Sequence, residues 1–224
     1  MESYQGDYVI SLDGTGVFAS TEIKCESCMV KNEGKDNESY YHQSFCAVLV
    51  KPGCKTVLPI GNEAIIKTDG MTKNDCELNA AKRLIPRLRT EHPKLPMCLV
   101  LDGLHSKVEI IELCSEQQMK YIIVAKNNDH KHLFRQFEDG SVCLPQELIE
   151  TDGEIQKIYR FKNGIELNAS NPGLLVNVLE VVEQTKNKPM RKFKWVTNYP
   201  LSEANASKIA DMGRSRWKIE KRDL

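Results

Sequence analysis

Two short runs of uninterrupted apolar residues stand out in the hydrophobic pattern of the chain. Met97–Leu101 has five apolar residues in a row and ends at Asp102-Gly103, and Tyr121–Ala125 has the same pattern. Such runs, bounded by turn-forming residues, are typical of strands buried on both faces in a parallel sheet. Ligands of open α/β sheets gather beyond the carboxyl ends of these strands, so Asp102 lies where chemistry is commonly done. The alternative is that Asp102-Gly103 forms only a turn.

The segment before these runs predicts three antiparallel strands. A β-prone stretch at Tyr8–Leu12 ends in Asp13-Gly14-Thr15-Gly16, and the strand pattern resumes at Val17–Ile23. Tyr40–Val50 and Thr56–Ile60 are rich in β-formers and are separated by turn residues, so they supply the second and third strands.

Helical periodicity separates and follows the later strands. The predicted helices are Asn74–His92, Ser106–Gln117, His132–Phe137 and a terminal helix that is capped by Ser202 or Asn205 and runs toward Leu224. Their boundaries follow from capping residues and from prolines just beyond the ends. Pro86 is expected to kink or offset the first of these helices, because proline cannot donate the backbone hydrogen bond of a helix interior.

From Asp139 to Lys194 the pattern changes to short β-prone pieces separated by Gly, Asn and Pro, and Phe193–Thr197 predicts a last strand. We interpret this stretch as a β-rich insertion. The element order is that of the ribonuclease-H-like arrangement, so the predicted fold class is α/β: a ribonuclease-H-like mixed sheet flanked by helices, with a β-rich insertion before the last helix. Residues 1–138 form the first part of this predicted core, 139–194 the insertion, and 195–224 the closing strand and a glutamate-bearing helix.

Composition limits the partners and the location of the protein. The 31 Lys and Arg residues equal the 31 Asp and Glu residues, so no global field draws the chain to nucleic acid. Contacts with DNA would come from two basic stretches, Lys186–Lys194 and Arg214–Arg222, each of which could equally be a solvated face. No stretch reaches the length of a membrane span and the N-terminus has no signal-peptide pattern, so we expect a cytoplasmic protein.

Two aspartates are expected to meet at one edge of the sheet. In the ribonuclease-H-like arrangement the first and fourth strands are neighbours, which puts Asp13 beside Asp102. Adjacent carboxylates repel unless a cation neutralises them, and their hard oxygens select Mg²⁺ or Mn²⁺. Two such ions can hold the attacking and leaving oxygens of a phosphoryl displacement. Glu220 shares a helix face with Arg216 and is the candidate third ligand, the alternative being an exposed, ion-paired helix face.

Three motifs together resemble the DDE transposases of bacterial insertion sequences. They are Leu-Asp-Gly-Thr-Gly at Leu12–Gly16, Leu-Asp-Gly-Leu at Leu101–Leu104 and Arg-Trp-Lys-Ile-Glu at Arg216–Glu220, and the segments Tyr40–Gln43 and Asn74–Arg83 also look like this group. The resemblance implies that Asp13, Asp102 and Glu220 are the catalytic, metal-binding residues and that two Mg²⁺ or Mn²⁺ ions are the cofactors. Such enzymes cut DNA at transposon ends with water as nucleophile and join the freed 3′-hydroxyl to target DNA.

The resemblance also implies that the partners are transposon-end and target DNA, with the chain acting as a homodimer on DNA. Arg216 matches the arginine of the family's Tyr-Arg-Glu-Lys signature, which contacts DNA phosphate. The other candidate DNA-binding residues belong to the basic stretches or follow the second buried strand: Lys126, Arg191, Lys192, Lys194 and Arg214.

Departures from the family pattern favour two further hypotheses. Gly213 stands where the signature has tyrosine, and the signature lysine would fall beyond Leu224. Only twelve residues precede Asp13, so we expect a catalytic core truncated at both ends. The alternative functions are an inactive fragment that regulates transposition by binding DNA or full-length transposase, and a structure-selective nuclease on the same fold without a joining step.

The chain has eight cysteines and no secretory signal, so we expect its thiols to be reduced. Cys25 and Cys28, with His42 and Cys46, have a spacing similar to that of a zinc knuckle. If Tyr40–Val50 is a strand, His42 and Cys46 lie about 13 Å apart along it, which argues against all four side chains meeting. A zinc site that uses Cys25, Cys28 and one other ligand remains open.

Overall fold

One large mixed sheet organises the molecule in the computed structural model, which describes residues 3–70, 72–140, 143–186 and 188–218. The strands within these ranges are β1 (Tyr8–Ser20), β2 (Met29–Lys31), β3 (Ser39–Val50), β4 (Leu58–Ile65), β5 (Met97–Leu101), β6 (Lys120–Val124), β7 (Gln146–Asp152), β8 (Ile155–Glu166), β9 (Leu175–Thr185) and β10 (Lys188–Thr197). The helices are α1 (Lys73–Glu91), α2 (Val108–Glu116), α3 (Lys131–Glu138) and α4 (Ala206–Arg214), and short 3₁₀ turns cover Lys67–Asp69, Gly103–His105 and Ser215–Lys218.

The strand order across the sheet is β2-β3-β1-β5-β6-β10-β9-β8-β7, with β4 paired to β3. β1 runs parallel to β5, and β5 runs parallel to β6, whereas every other described pair is antiparallel. The prediction that the first strand lies beside the strand before Asp102 is therefore confirmed. The protein is a mixed α/β fold with helices packed on the sheet.

β1 passes through the glycine-rich segment that the sequence marks as an interruption. It pairs with β3 from Val9 to Ser20, and its register shifts once, between Gly16 and Phe18. The first half of the strand is buried and the second half is largely exposed. The expected break at Asp13-Gly14-Thr15-Gly16 is wrong, and the strand carries Asp13 in its middle.

The β-rich segment continues the central sheet. β10 pairs antiparallel with β6 through Trp195 opposite Val124 and Thr197 opposite Ile122, and β9, β8 and β7 follow outward. The predicted boundary between insertion and core at residue 194 falls inside β10. The basic stretch on β10 is thereby separated by a single strand, β6, from β5, which leads into Asp102.

Apolar packing covers both faces of the sheet. On one face, α1 buries Leu84, Ile85 and Leu88 completely against strand residues such as Leu99. On the other face, α4 packs its apolar residues against Trp195 and its neighbours. Truncating one such buried leucine to alanine costs about 2–5 kcal/mol, so these contacts hold the helices firmly to the sheet.

α1 continues across Pro86, and its bounds agree with the predicted Asn74–His92 to within a residue at each end. Among the described helices, none combines the length and the apolar character that a membrane crossing requires.

Candidate active site

Parallel pairing of β1 with β5 positions the two candidate aspartates. The register sets Val9 opposite Cys98 and Ser11 opposite Val100. Continuing that register by two residues brings Asp13 opposite Asp102, the first residue beyond β5. Both side chains therefore lie at the carboxyl edge of the parallel strands, where ligands of open α/β sheets bind.

Asp102 caps the turn that follows β5. Its Oδ1 accepts hydrogen bonds from the Leu104 amide at 3.0 Å and from His105 Nδ1 at 2.7 Å. His105 is fully buried, and its ring lies 5.0 Å from that of Phe45. These contacts orient the carboxylate and leave Asp102 Oδ2 without a hydrogen bond from the described residues.

Burial of Asp102 acts to raise the pKa of its carboxyl, but the surrounding donors outweigh this effect. The hydrogen bond and the electrostatic attraction of His105 act first, followed by the Leu104 amide and the charge of Arg216. The pKa of Asp102 consequently lies below its ordinary value. The group is held as a carboxylate, the form that binds a cation.

Asp13 is held by the chain that follows α4. Its Oδ1 accepts a hydrogen bond from the Gly14 amide at 3.0 Å, and its Oδ2 lies 3.3 Å from Arg216 Nη1. Arg216 is 6% exposed, and its backbone oxygen accepts a hydrogen bond from Ser11 Oγ at 3.3 Å. The predicted phosphate-binding arginine therefore lies against the candidate metal ligand in this conformation, and its contact with DNA stays a prediction.

Close packing at Gly213 fixes the position of α4, and Arg216 follows α4 in the chain and lies beside Asp13. A Cβ built on Gly213 would lie 2.8 Å from Trp195 Cε2 and 3.1 Å from Ile122 Cγ2. The backbone of α4 therefore rests directly on the indole, and any side chain at this position would push the helix away.

A further carboxylate, Glu77, packs on β1 near the site, and the sequence analysis did not single it out. A Cβ built on Gly14 would lie 3.0 Å from Glu77 Oε2, and because successive side chains of a strand point to opposite faces, Glu77 lies on the face of β1 away from the Asp13 side chain. Its acidic side chain at the start of a predicted helix was a visible signal, but only the packing of α1 on β1 shows where it points.

The third predicted ligand, Glu220, lies outside the described residues. Within those residues, no further carboxylate, histidine or cysteine completes a three-ligand group with Asp13 and Asp102. The two aspartates offer hard oxygen donors, an ionised carboxyl and the open Oδ2 of Asp102, and this donor set fits Mg²⁺ or Mn²⁺.

A basic cleft opens beside the site. Lys126, Lys192 and Lys194, with Phe193 and Trp195, line an open cavity of about 520 Å³. The Lys126 side chain packs over Gly103, the residue after Asp102. Three of the predicted DNA-binding residues are thus brought together from β10 and from the loop after β6, within one cleft next to Asp102.

The remaining predicted DNA contacts differ in availability. Arg191 is exposed on β10. Arg214 forms an ion pair with Glu183 and stacks on the Phe193 ring at 4.7 Å. Lys194 in the cleft is itself 2.8 Å from Glu180. Arg214 and Lys194 therefore have protein partners, whereas Arg191 is open to solvent.

No protein-family model matches the chain, and no curated protein matches it. Among solved structures, the chain is similar in fold to a piggyBac transposase seen by cryo-EM in a synaptic complex with hairpin DNA. This similarity has a TM-score of 0.47 at 9% sequence identity, and it covers 94% of this chain and 38% of the transposase chain. The chain thus spans well under half the length of that protein.

Proposed function

We propose that this chain is the catalytic core of a DDE-type transposase that cuts DNA at transposon ends and joins the new 3′-hydroxyl to target DNA. The observation that carries the proposal is the parallel pairing of β1 with β5, which ends at Ser11 opposite Val100. Continued by two residues, this register puts Asp13 opposite Asp102 at the carboxyl edge of the sheet. Two aspartates far apart in sequence meet only if the chain follows such a topology. Their motifs are those in which the sequence resembles insertion-sequence transposases.

The strand arrangement supports a ribonuclease-H-like core. β4, β3 and β1 form an antiparallel set, and β5 and β6 continue beside β1 in parallel. This is the order expected of that arrangement, with the first and fourth strands of the core side by side. In the proposal, β7 to β10 are the β-rich insertion, attached to the core through β6.

Asp13, Asp102 and, in the proposal, Glu220 would hold two Mg²⁺ or Mn²⁺ ions. When bound, such ions activate water and stabilise the charge on the attacking and leaving oxygens of a phosphodiester. Asp102 Oδ2 is the available donor atom, because the hydrogen bonds to this side chain fall on Oδ1.

The neighbouring residues have distinct roles in this proposal. His105 is a positioning residue, because its Nδ1–H fixes the orientation of the Asp102 carboxylate and favours its ionised form. Arg216 neutralises Asp13 when no divalent cation is present, and it becomes available for DNA phosphate when a cation takes over that charge.

The cleft next to Asp102 is suited to a DNA backbone. Lys126 and Lys192 are exposed along it, and lysines at a groove neutralise phosphates and release counterions on binding. This local patch supplies the attraction that the neutral overall charge does not.

The test uses a supercoiled plasmid that carries the DNA flanking the gene on both sides, incubated with the protein in Mg²⁺ or Mn²⁺. We expect nicked and joined products that fall at least about 10³-fold in Asp102→Asn, as for loss of an essential catalytic group. Asn keeps the shape and accepts the same two hydrogen bonds. The control variant Glu154→Gln makes the same carboxylate-to-amide change at an exposed turn residue and should retain full activity.

Activity that survives Asp102→Asn would contradict the proposal. Cleavage without any joined product would instead favour the structure-selective nuclease. Tight DNA binding without cleavage by the wild-type protein would favour the regulatory fragment.

A further inference from the structure

We propose that Cys25, Cys28 and His42 bind a Zn²⁺ ion at the exposed end of β1. The two cysteines lie in the connection between β1 and β2, and the histidine lies on β3. Their ligand atoms lie within 4.8 Å of one another, the one such group among the residues that the structure describes. The transposase proposal does not use this cluster, and the zinc site stands or falls independently of it.

The distances between the ligand atoms are those of a tetrahedral zinc site. Cys25 Sγ and Cys28 Sγ are 3.7 Å apart, and each lies 3.3 Å from His42 Nε2. Zn–S bonds of about 2.3 Å and Zn–N bonds of about 2.0–2.1 Å at tetrahedral angles give S···S of about 3.8 Å and S···N of about 3.6 Å. A small outward movement of the imidazole therefore completes the geometry.

Local backbone contacts shape this arrangement. The Cys28 amide donates to the Cys25 carbonyl at 3.1 Å, which closes a tight turn, and the Cys25 amide donates to Cys28 Sγ at 3.3 Å. These two contacts hold both sulfurs on the same side of the turn. His42 is brought to the turn because β3 pairs with β1, where Phe18 lies opposite it.

Cys46 does not join the group. It lies four residues further along β3 and is paired with Asp13 in the sheet. This agrees with the expectation that an extended strand separates His42 from Cys46. With three protein ligands from the described residues, we assign the fourth coordination position to water.

The segment from Thr21 to Ser27 has polar contacts, such as that of Lys24 Nζ with the Tyr40 hydroxyl at 3.2 Å, but no buried side chain. All residues from Thr21 to Ser27 are exposed, including Ile23 at 66%. Cys28 and Met29 are buried where the chain rejoins the sheet. A loop without a core is the setting in which a metal ion supplies the folding energy.

The position of the cluster argues for a structural role. Phe18, opposite His42, lies five residues beyond Asp13 along β1, or about 16 Å at 3.3 Å per residue. The zinc would therefore not touch the carboxylate edge. It would fix the β1–β2 connection to β3 and so stabilise the exposed half of β1. Binding releases one proton from each thiol, and the neutral histidine loses none.

A disulfide between Cys25 and Cys28 is the competing chemistry. The observed Sγ···Sγ separation of 3.7 Å is much longer than a disulfide bond of about 2.05 Å. An imidazole nitrogen close to both sulfurs has no role in a disulfide, whereas it is a zinc ligand in many sites.

The first experiment measures zinc by plasma mass spectrometry after the full chain is purified without chelators. We expect about one zinc per chain in the wild type and in the control variants Cys54→Ser and Cys143→Ser. We expect at least about a fivefold lower content in Cys25→Ser and His42→Ala, which remove one ligand each. Equal zinc content in ligand and control variants would overturn the proposal.

The second experiment uses the wild-type protein, so it does not depend on the folding of a variant. The rate of alkylation of Cys25 is compared with that of Cys143, since both thiols are exposed, before and after stoichiometric zinc is added to the chelator-treated protein. Zinc should slow alkylation of Cys25 about tenfold or more and leave Cys143 unchanged. A Cys25 alkylation rate that does not change when zinc is added would refute the site. A Cys25–Cys28 disulfide in the freshly purified protein would also refute it.

Discussion

Glu180 and Asp102 are both carboxylates set into the same sheet, and their surroundings differ in one respect. Glu180 on β9 lies opposite Arg160 on β8 and Lys194 on β10. Its two oxygens are 2.7 Å from Arg160 Nη1 and 2.8 Å from Lys194 Nζ, and its side chain is 2% exposed. Asp102 has one oxygen fixed by His105 and Leu104, while its side chain is 35% exposed.

The difference separates a charge that holds strands together from a charge that can bind a ligand. A buried carboxylate with a cation on each neighbouring strand has both oxygens paired, so it cannot bind a further ligand. A carboxylate that is oriented on one oxygen and has no hydrogen bond from the described residues on the other can accept a further partner there. The following predictions test this contrast.

The closed cluster, which is Glu180 with Arg160 and Lys194, should contribute more to the stability of the fold than Asp102 does. Glu180→Gln removes the buried anion that Lys194 and Arg160 share and leaves Arg160 only its more exposed partners Glu138 and Glu147. We expect a loss of about 3 kcal/mol in the free energy of unfolding by urea. Asp102→Asn should cost less than about 1 kcal/mol, because the asparagine accepts the same hydrogen bonds. Equal losses in the two variants would erase the contrast.

The open site, which is the Asp102 carboxylate at the edge of the sheet, should bind divalent cations, and this binding should stabilise the folded protein. At a Mg²⁺ concentration of about 100 times its Kd, the wild type should gain about 2.7 kcal/mol, which raises Tm by about 5–10 °C. Asp102→Asn should lose this gain, and Glu154→Gln should keep it. Differential scanning calorimetry with and without Mg²⁺ measures both, and a gain that persists in Asp102→Asn would place the cation elsewhere.

The contact of Gly213 with Trp195 should be sensitive to a single methyl group. Gly213→Ala forces α4 off the indole, and overpacking of this kind costs about 2 kcal/mol. Gly16→Ala is the matched control, since nothing lies within 4 Å of a Cβ there. Both are measured by urea unfolding, and an unchanged stability in Gly213→Ala would show that α4 shifts without cost.

The cleft should bind DNA through its exposed lysines, Lys126 and Lys192. Lys192→Glu should weaken binding of duplex DNA about tenfold and reduce the slope of log K against log salt by about 1. Lys35→Glu makes the same charge change on an exposed loop. Fluorescence anisotropy at several salt concentrations separates the two, and an equal effect of both variants would indicate a non-local attraction only.

The ion pair between Arg160 and Glu138, next to the closed cluster, should weaken in acid. The hydrogen bond from Arg160 lowers the pKa of Glu138 from its ordinary value of 4.5. Its contribution is therefore fully present above that value and is lost as pH falls through the lower folded pKa. In Glu138→Gln the decline of the unfolding free energy between about pH 5 and pH 3 should be shallower, measured by urea titrations, with Glu154→Gln declining as the wild type does.

Regular patterns in the sequence predict the core of the fold well. β5 follows from an uninterrupted apolar run, and α1 from apolar residues at helical spacing between a cap and Pro93. Both signals arise within the element itself. The adjacency of Asp13 and Asp102 then follows from strand order alone.

Features that depend on contacts between distant elements were not predictable in the same way. Gly14 and Gly16 are typical of a turn, yet β1 continues through them because both residues pair with β3, opposite Phe45 and Gln43. The charged residues of β10 read as a solvated run, yet Lys194 is drawn inward by Glu180 on the next strand. Such positions are decided by neighbours that the local sequence does not show.

β1 links the carboxylate edge to the cysteine and histidine cluster as one extended strand of 13 residues. Because side chains on a strand alternate between faces, adding or removing one residue beyond Asp13 would turn every later side chain to the opposite face. A change of two residues would keep the faces and alter only the spacing, by about 7 Å. Away from the register shift between Gly16 and Phe18, which already takes up one extra residue, natural length variation in this strand is therefore expected to come in even steps.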